Sequence, residues 1–273
     1  MGFLTDLVGT IRRELDERPL PLEALDAAAR SRPPARSLRD ALRRATVPAV
    51  IAEVKRSSPS AGWIDADADP ASLARAYEAG GAAAISVLTE PRHFGGSIAD
   101  LRLVRATAGI PVLRKDFLID PDQLVESRAA GADCVLLIAA CLDDGLLDRM
   151  LTATRALGME PLLETHSDRD LERVLETDGE IIGVNARDLQ TLEVDVPAAL
   201  GRLRSIPSGR LAVLESGIAS HDDVTAAVAA GASAVLVGEA LMRAADPAAA
   251  IAGLVREPGP AARRLDRGEE EIA

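Results

Sequence analysis

Aromatic residues are scarce in this chain, at 2% of 273 residues. Stacking platforms for single-stranded nucleic acid are therefore hard to furnish, and a core must be assembled mainly from Ala, Val, Leu and Ile. Positive charge is also short. Lys and Arg number 31 against 43 Asp and Glu, a net charge of −12. That balance opposes binding to nucleic acid or an anionic membrane, yet it leaves room for a local basic pocket that accepts a small anion.

Cysteine and histidine are equally sparse. Cys134 and Cys141 show no Cys-x-x-Cys spacing and no clustered histidines beside them, so a metal site is not expected and both read as buried free thiols. The longest apolar stretch, 134–142, falls far short of the ~20 residues that span a bilayer. The opening residues lack a basic flank followed by an apolar core, and Asp6 spoils a myristoylation pattern, so no targeting segment is expected. These readings point to a soluble protein of the reducing cytoplasm.

What the chain has in quantity is aliphatic sequence, with 48% hydrophobic residues. Residues 1–47 read as a helical extension: Leu4, Leu7, Val8, Ile11 and Leu15 keep helical spacing, and Pro19, Pro21, Pro33 and Pro34 cut the segment into short pieces. It either packs on the main domain as an appendage or forms a lid over a site. From Ala49 onward, Val/Ile/Leu runs alternate with Ala-rich helical patterns. Strands centred on Ala52, Ser86, Val112, Val135, Leu162, Ile182, Val213 and Val235 give eight strand–helix units. The expected fold is α/β, a (β/α)8 TIM barrel over 48–255 within a single domain, with 256–273 as a polar, flexible tail. A doubly wound open sheet also alternates strand and helix, but no Gly-x-Gly-x-x-Gly follows the first strand and the count of eight favours closure.

Local signals agree with this division. Asp69-Pro70, Asp120-Pro121 and Asp246-Pro247 pair an N-cap with a first-turn proline. Gly80-Gly81, Gly131 and Gly231 follow helical runs, where a left-handed C-terminal residue is expected.

In a parallel barrel the active face lies at the strands' C-terminal ends, and polar residues collect there. Glu53 and Lys55 stand two apart on strand one, and so on one face. Lys115 ends strand three, Glu164 strand five, Asn185 and Arg187 strand six, Glu215-Ser216-Gly217 strand seven and Gly238-Glu239 strand eight. Singly, Lys115 reads equally as a solvated loop residue, Glu164 as a helix-start carboxylate, Asn185 and Arg187 as turn residues. Together they converge on one rim. The glycines after strands seven and eight sit where barrels commonly bind phosphate through backbone N–H groups. His93, His166 and His221 read as satisfied or solvated, His166 lacking a carboxylate or thiol partner at ligand spacing.

With these stretches assembled, the chain closely resembles the indole-3-glycerol phosphate synthase family. The matching segments are 51–56 with Ser58-Pro59-Ser60, 86–90 with Phe94 and Gly96, 112–117, 160–164, 183–189 and 215–217. The resemblance implies conversion of 1-(2-carboxyphenylamino)-1-deoxyribulose 5-phosphate into indole-3-glycerol phosphate, carbon dioxide and water in tryptophan biosynthesis, without metal or organic cofactor. It further implies Lys115 as general acid, Glu164 as general base helped by Asn185, Glu53 holding the lysine network, and Lys55 beside the substrate carboxylate. Substrate contacts would come from Ser58, Phe94, Phe117, Leu136, Arg187, Glu215 and Ser216, and phosphate contacts from Ser58, Ser216, Gly217, Gly238 and Glu239. The N-terminal helices are expected to cover the top of the barrel. Arg56, Arg114 and Arg187, in nearby motifs, are expected to crowd Lys115 with positive charge, against the pull of Glu53 and Glu164.

Two departures from the family pattern stand out. Ala61 occupies a position where many members carry a loop lysine, and Glu239 sets a carboxylate beside the phosphate loop where a serine is common. The Glu239 side chain is expected to point away while its backbone N–H binds. The partner is a small phosphorylated substrate; a monomer is expected, with a weak homodimer as the alternative. Rival readings are a Schiff-base aldolase or sugar-phosphate isomerase using Lys115 or Lys55 as nucleophile, and an inactive barrel that serves as an interaction partner.

Overall fold

A computed structural model describes residues 2–45 and 48–255. The segment 256–273, expected to be a tail, lies outside the described residues. Eight parallel strands close into a barrel: β1 Ala49–Val54, β2 Ala84–Leu88, β3 Val112–Lys115, β4 Cys134–Ile138, β5 Glu160–Thr165, β6 Ile181–Asn185, β7 Leu211–Glu215 and β8 Ala234–Val237. Each strand pairs with the next in sequence, and β8 closes on β1 in the register Ala49↔Ala234 through Ala52↔Val237. Each of the eight expected strand centres falls inside its strand.

The helices are α1 Phe3–Glu17, α2 Leu22–Arg30, α3 Leu38–Arg44, α4 Pro70–Ala79, α5 Ile98–Thr107, α6 Pro121–Ala130, α7 Asp144–Ala156, α8 Asp168–Glu176, α9 Val196–Leu203, α10 His221–Ala229, α11 Glu239–Met242 and α12 Pro247–Val255. The Asp-Pro signals work as expected. Asp69 caps α4 by accepting from Ala71 and Ser72 N–H, Asp120 forms a capping box with Gln123, and Asp246 accepts from Ala249 N–H. Gly81, Gly131 and Gly231 are left-handed at φ 91°, 100° and 100°. Gly80 is not: at φ −73° it completes the helical turn, and Gly81 makes the reversal.

Period-two alternation divides the core into two shells. Outward residues such as Val50, Ile85, Val135, Leu163, Ile182 and Val235 pack under the helices. Inward residues, including Ile51, Leu113, Leu136, Leu162, Val213 and Leu236, fill the barrel. At the lower end Ala49, Ala84 and Ala234 are too small to close the bottom, and Leu38 and Leu42 of α3 join that interior cluster, fully or almost fully buried.

The extension is thus a strap rather than a cover for the top alone. α1 lies at the rim, where Leu4 and Leu7 share the interior cluster with Phe117 and Leu189. α2 packs on α6. α3 sits at the opposite end, tied to the start of β5 by Ser37 Oγ and Arg39 N–H donating to Glu160 at 2.9 and 2.8 Å. Buried Asp133, just before β4, accepts from Arg36 N–H at 2.9 Å and pairs with Arg105. The physical reason is the alanine floor, which leaves apolar volume that only the extension can fill.

Candidate active site

The active face is built by inward positions at the ends of the strands. On β1, Glu53 and Lys55 follow Ile51 on the inward face, and Lys55 Nζ lies 2.7 Å from Glu53 Oε1. On the neighbouring strand, Gly238 follows the end of β8, where a Cβ would stand 2.4 Å from Glu53 Oε1 and 3.1 Å from Lys55 Nζ. Glycine is needed there because the ion pair occupies the side-chain space.

Lys115 Nζ donates to Glu164 Oε2 at 2.8 Å and lies 3.2 Å from Glu215 Oε2. Room for Glu215 comes from Gly183 on β6, whose Cβ would fall 2.2 Å from Glu215 Oε1. The two carboxyl groups are fully buried, and the Lys115 side chain, 13% exposed, faces the cavity. Burial by itself would lower the lysine value, but Glu164, Glu215 and Glu53 outweigh it and hold the ammonium well above its ordinary range. Burial works against the Glu164 charge too, and Lys115 and His166 reverse it, keeping that carboxyl far below its usual range. Glu215 goes the other way: burial, then the neighbouring Glu164 charge, push it well above the carboxylate range. The field of the cluster thus favours a charged Lys115 and pushes the two carboxyl groups in opposite directions.

The expected crowd of arginines around Lys115 is absent. Arg114 alternates to the outer face of β3 and spends its guanidinium on Asp116, Glu126 and Ser127 beneath α6. Arg56 clamps the loop after β1 to α5, donating to Asp100 Oδ2 at 2.7 Å and Oδ1 at 3.0 Å. Arg187 donates to Leu192 O at 2.9 Å across the loop after β6. Sequence proximity misled here because adjacent strand residues face opposite ways.

Neighbouring loops set the rest of the rim. The Glu90 carboxylate accepts from the N–H groups of Arg92, His93 and Phe94, which fixes the loop carrying Phe94. Phe94 and Phe117 meet with ring centroids 6.2 Å apart. Asn185 Oδ1 accepts from Ser216 Oγ at 2.8 Å and Arg187 N–H at 2.9 Å. Ser216 and Gly217 are both left-handed, at φ 66° and 73°, and a Cβ on Gly217 would meet Val196 at 2.5 Å. The serine's unfavourable backbone is offset by its bond to Asn185. Ser58 Oγ accepts from Ala61 N–H at 3.1 Å within a small ribbon that pairs Ser57–Ser58 with Gly62–Trp63.

Every site residue expected from the sequence lines a single cavity of about 490 Å³, the charged groups, the apolar Phe94, Phe117 and Leu136, and Ser58, Ser216, Gly217, Gly238 and Glu239 alike. Among the described residues, no three His, Cys, Asp or Glu side chains are arranged to hold a metal ion.

Residues 5–254 match the family model of indole-3-glycerol phosphate synthase. The chain belongs to that family. It is 50% identical to the indole-3-glycerol phosphate synthase of Mycobacterium avium (strain 104) over 239 residues, 88% of each chain. It is also 50% identical to that of a Nocardioides species over 257 residues, covering 92% of this chain and 97% of the relative. Among solved structures, a 3-hexulose-6-phosphate synthase superposes with a TM-score of 0.59 at 18% identity, over 76% of this chain and 97% of the other. That likeness shows the barrel fold alone.

Three residues beyond those expected from the family motifs belong to this neighbourhood. Phe3 of α1 lines the cavity and meets His93 edge-on, with centroids 5.0 Å apart. Arg243 also lines it, held by Glu239 Oε1 at 3.0 Å one turn away, so the Glu239 side chain is engaged along α11. The i, i+4 spacing of Glu239 and Arg243 was the available signal. The third is His166, whose Nε2 lies 3.0 Å from Glu164 Oε1 with a 7% exposed side chain. The expectation of a solvated or otherwise satisfied histidine is corrected: one residue separates it from Glu164, and period-two geometry brings the two side chains together.

Proposed function

We infer that this chain makes indole-3-glycerol phosphate, by ring closure, decarboxylation and dehydration of 1-(2-carboxyphenylamino)-1-deoxyribulose 5-phosphate. Membership of the family supports the reaction. The observation that carries the residue assignment is Lys115, a buried ammonium kept charged between Glu164 and Glu215 at the base of the cavity. A proton donor at neutral pH has to keep its proton until the acceptor develops charge.

Lys115 protonates the ketone oxygen as the aromatic carbon bearing the carboxylate attacks, which closes the five-membered ring. Carbon dioxide then leaves, and its bonding electrons restore the aromatic ring. In the dehydration, the hydroxyl formed from the ketone departs as water with a proton from Lys55, and Glu164 takes a proton from the adjacent sugar carbon, completing the indole double bond. Asn185, fixed by Ser216, supports Glu164, and Glu53 holds Lys55 in place. Phe94, Phe117 and Leu136 pack on the anthranilate ring. Arg187 and Glu215 serve the substrate's polar groups, while Ser58, Ser216, Gly217, Gly238 and the Glu239 backbone receive the phosphate. A neutral Lys115, as an aldolase Schiff base needs, is disfavoured by the carboxylates around it.

Free Cys134 and Cys141 fit a reducing cytoplasm, and no helix among the described residues is long and apolar enough to cross a membrane. Incubation with the substrate and detection of indole fluorescence tests the activity. Lys115→Ala should lower kcat about 10²–10⁴-fold in that assay, with the far-ultraviolet circular dichroism of the barrel retained. Near-normal turnover, or a borohydride-trapped lysine adduct in wild type, would remove Lys115 from the acid role.

A further inference from the structure

His166 is the one buried histidine that meets the charged cluster, and the reaction steps above leave it without a part. It follows β5, outside the cavity lining, and both ring nitrogens are sealed from solvent with no aligned hydrogen-bond partner among the described residues. A buried imidazole ordinarily has at least one nitrogen fixed by a partner. Here the nearest acceptor is Glu164 Oε1, 3.0 Å from Nε2 but off the hydrogen-bond axis, and that oxygen too has no aligned partner. The other oxygen, Oε2, is taken by Lys115. The carboxylate thus has an inner contact with the acid and an outer one with the imidazole.

We propose that His166 is a positioning residue: through Nε2 it holds the outer oxygen of Glu164, keeping the inner oxygen towards Lys115 and the substrate and the carboxylate ready to accept a proton. This rests on Glu164 being the base of the dehydration. A small rotation of either side chain turns the 3.0 Å approach into an aligned N–H···O bond, which apo catalytic sites often make only when substrate arrives. The step itself is a proton transfer from the sugar carbon to Glu164; His166 gains and loses no atom in it.

The field on Glu164 comes from several elements. Lys115 on β3 and then His166 act on it most strongly, Glu215 on β7 adds a hydrogen bond that also favours its charge, and Glu53 on β1 reaches it through Lys115. The Cys141 thiol after β4 feels both Glu164 and Asp170 of α8 and is pushed up by burial first, so it stays neutral. Asp188, beyond β6, interacts with His166. Of these, only Lys115 and His166 favour the Glu164 anion by charge. Losing His166 leaves only Lys115 and the Glu215 hydrogen bond to hold the anion against burial, so Glu164 should protonate at higher pH.

The test compares kcat against pH for wild type, His166→Leu and His166→Gln. His166→Leu keeps the volume and removes the donor; kcat near neutrality should fall about tenfold with KM within about twofold, the sign of a lost transition-state contact. The acid limb of its profile should move up by about one pH unit or more. His166→Gln, which can return an amide N–H to the carboxylate, should recover most of the rate and move the limb back. A folded His166→Leu with the wild-type limb, or a glutamine variant no better than leucine, overturns the proposal. Glu164→Gln separates the two readings. An active Glu164→Gln removes the base assignment itself, whereas an inactive one beside an unaltered His166→Leu removes only the role given to His166.

Discussion

At the scale of single residues, one ammonium sets the protonation of two carboxyl groups. Glu164 has the 2.8 Å contact with Lys115 and its carboxyl is pulled down; Glu215, at 3.2 Å, is pushed up by burial first and then by the Glu164 charge. The pH dependence follows in sign. A carboxyl whose folded value is raised binds more protons in the native than in the unfolded state, so stability falls as pH climbs from the ordinary glutamate value of about 4.3 towards the folded one. Glu215→Gln abolishes that loss. In urea unfolding, the variant and wild type should agree closely below about pH 4 and diverge above it in favour of the variant. A constant difference across the range would mean that Glu215 ionises normally in the fold. Glu53, Lys55, Lys115 and Glu164 were readable as rim residues from strand ends alone. The pairing of Lys115 with Glu215, and the gap at Gly183 that admits it, was not, because those contacts cross the barrel between segments far apart in sequence.

At the scale of elements, the rim loops divide the labour. The loop after β2 is fixed by the Glu90 carboxylate and the loop after β1 by Arg56, so the ring wall is set before substrate binds. Ala61 leaves the loop after β1 without the lysine many family members carry at that position, while Arg243, projecting from the short α11 and half exposed, is the cation nearest the strand-eight loop in sequence. With Glu239 holding it, Arg243 can serve the substrate phosphate from the side. Arg243→Ala should raise KM several-fold, on the order of 1 kcal/mol, with kcat little changed. Steady-state kinetics with the phosphorylated substrate checks this; an unchanged KM leaves the phosphate to backbone N–H groups alone. The i, i+4 spacing of Glu239 and Arg243 is compatible with a helix pair, but only the fold brings Arg243 to the cavity.

At the scale of the whole molecule, the extension spans the barrel from rim to base. Phe3 lines the cavity while Leu38 plugs the opposite end, and Asp133, Glu160 and their partners fasten the segment between. Leu38→Ala should cost about 2–5 kcal/mol in urea unfolding, the range for emptying a buried leucine site, with kcat per folded molecule unaltered because the plug lies far from the chemistry. A cost below about 1 kcal/mol would show that the floor closes without it.

Some of this was settled by sequence alone. The period-two runs, their spacing and the Asp-Pro and glycine boundaries specify eight strand–helix units, since these are local requirements of backbone geometry. The gathering of polar residues at one end of those strands names the active face for the same reason. Other matters only the tertiary structure decided: α3 fills the base instead of covering the top, Gly183 leaves the room in which Glu215 reaches Lys115, and α11 brings Arg243 to the cavity. Each depends on how the sheet curves and which distant side chains share a volume, and neither periodicity nor spacing carries that information.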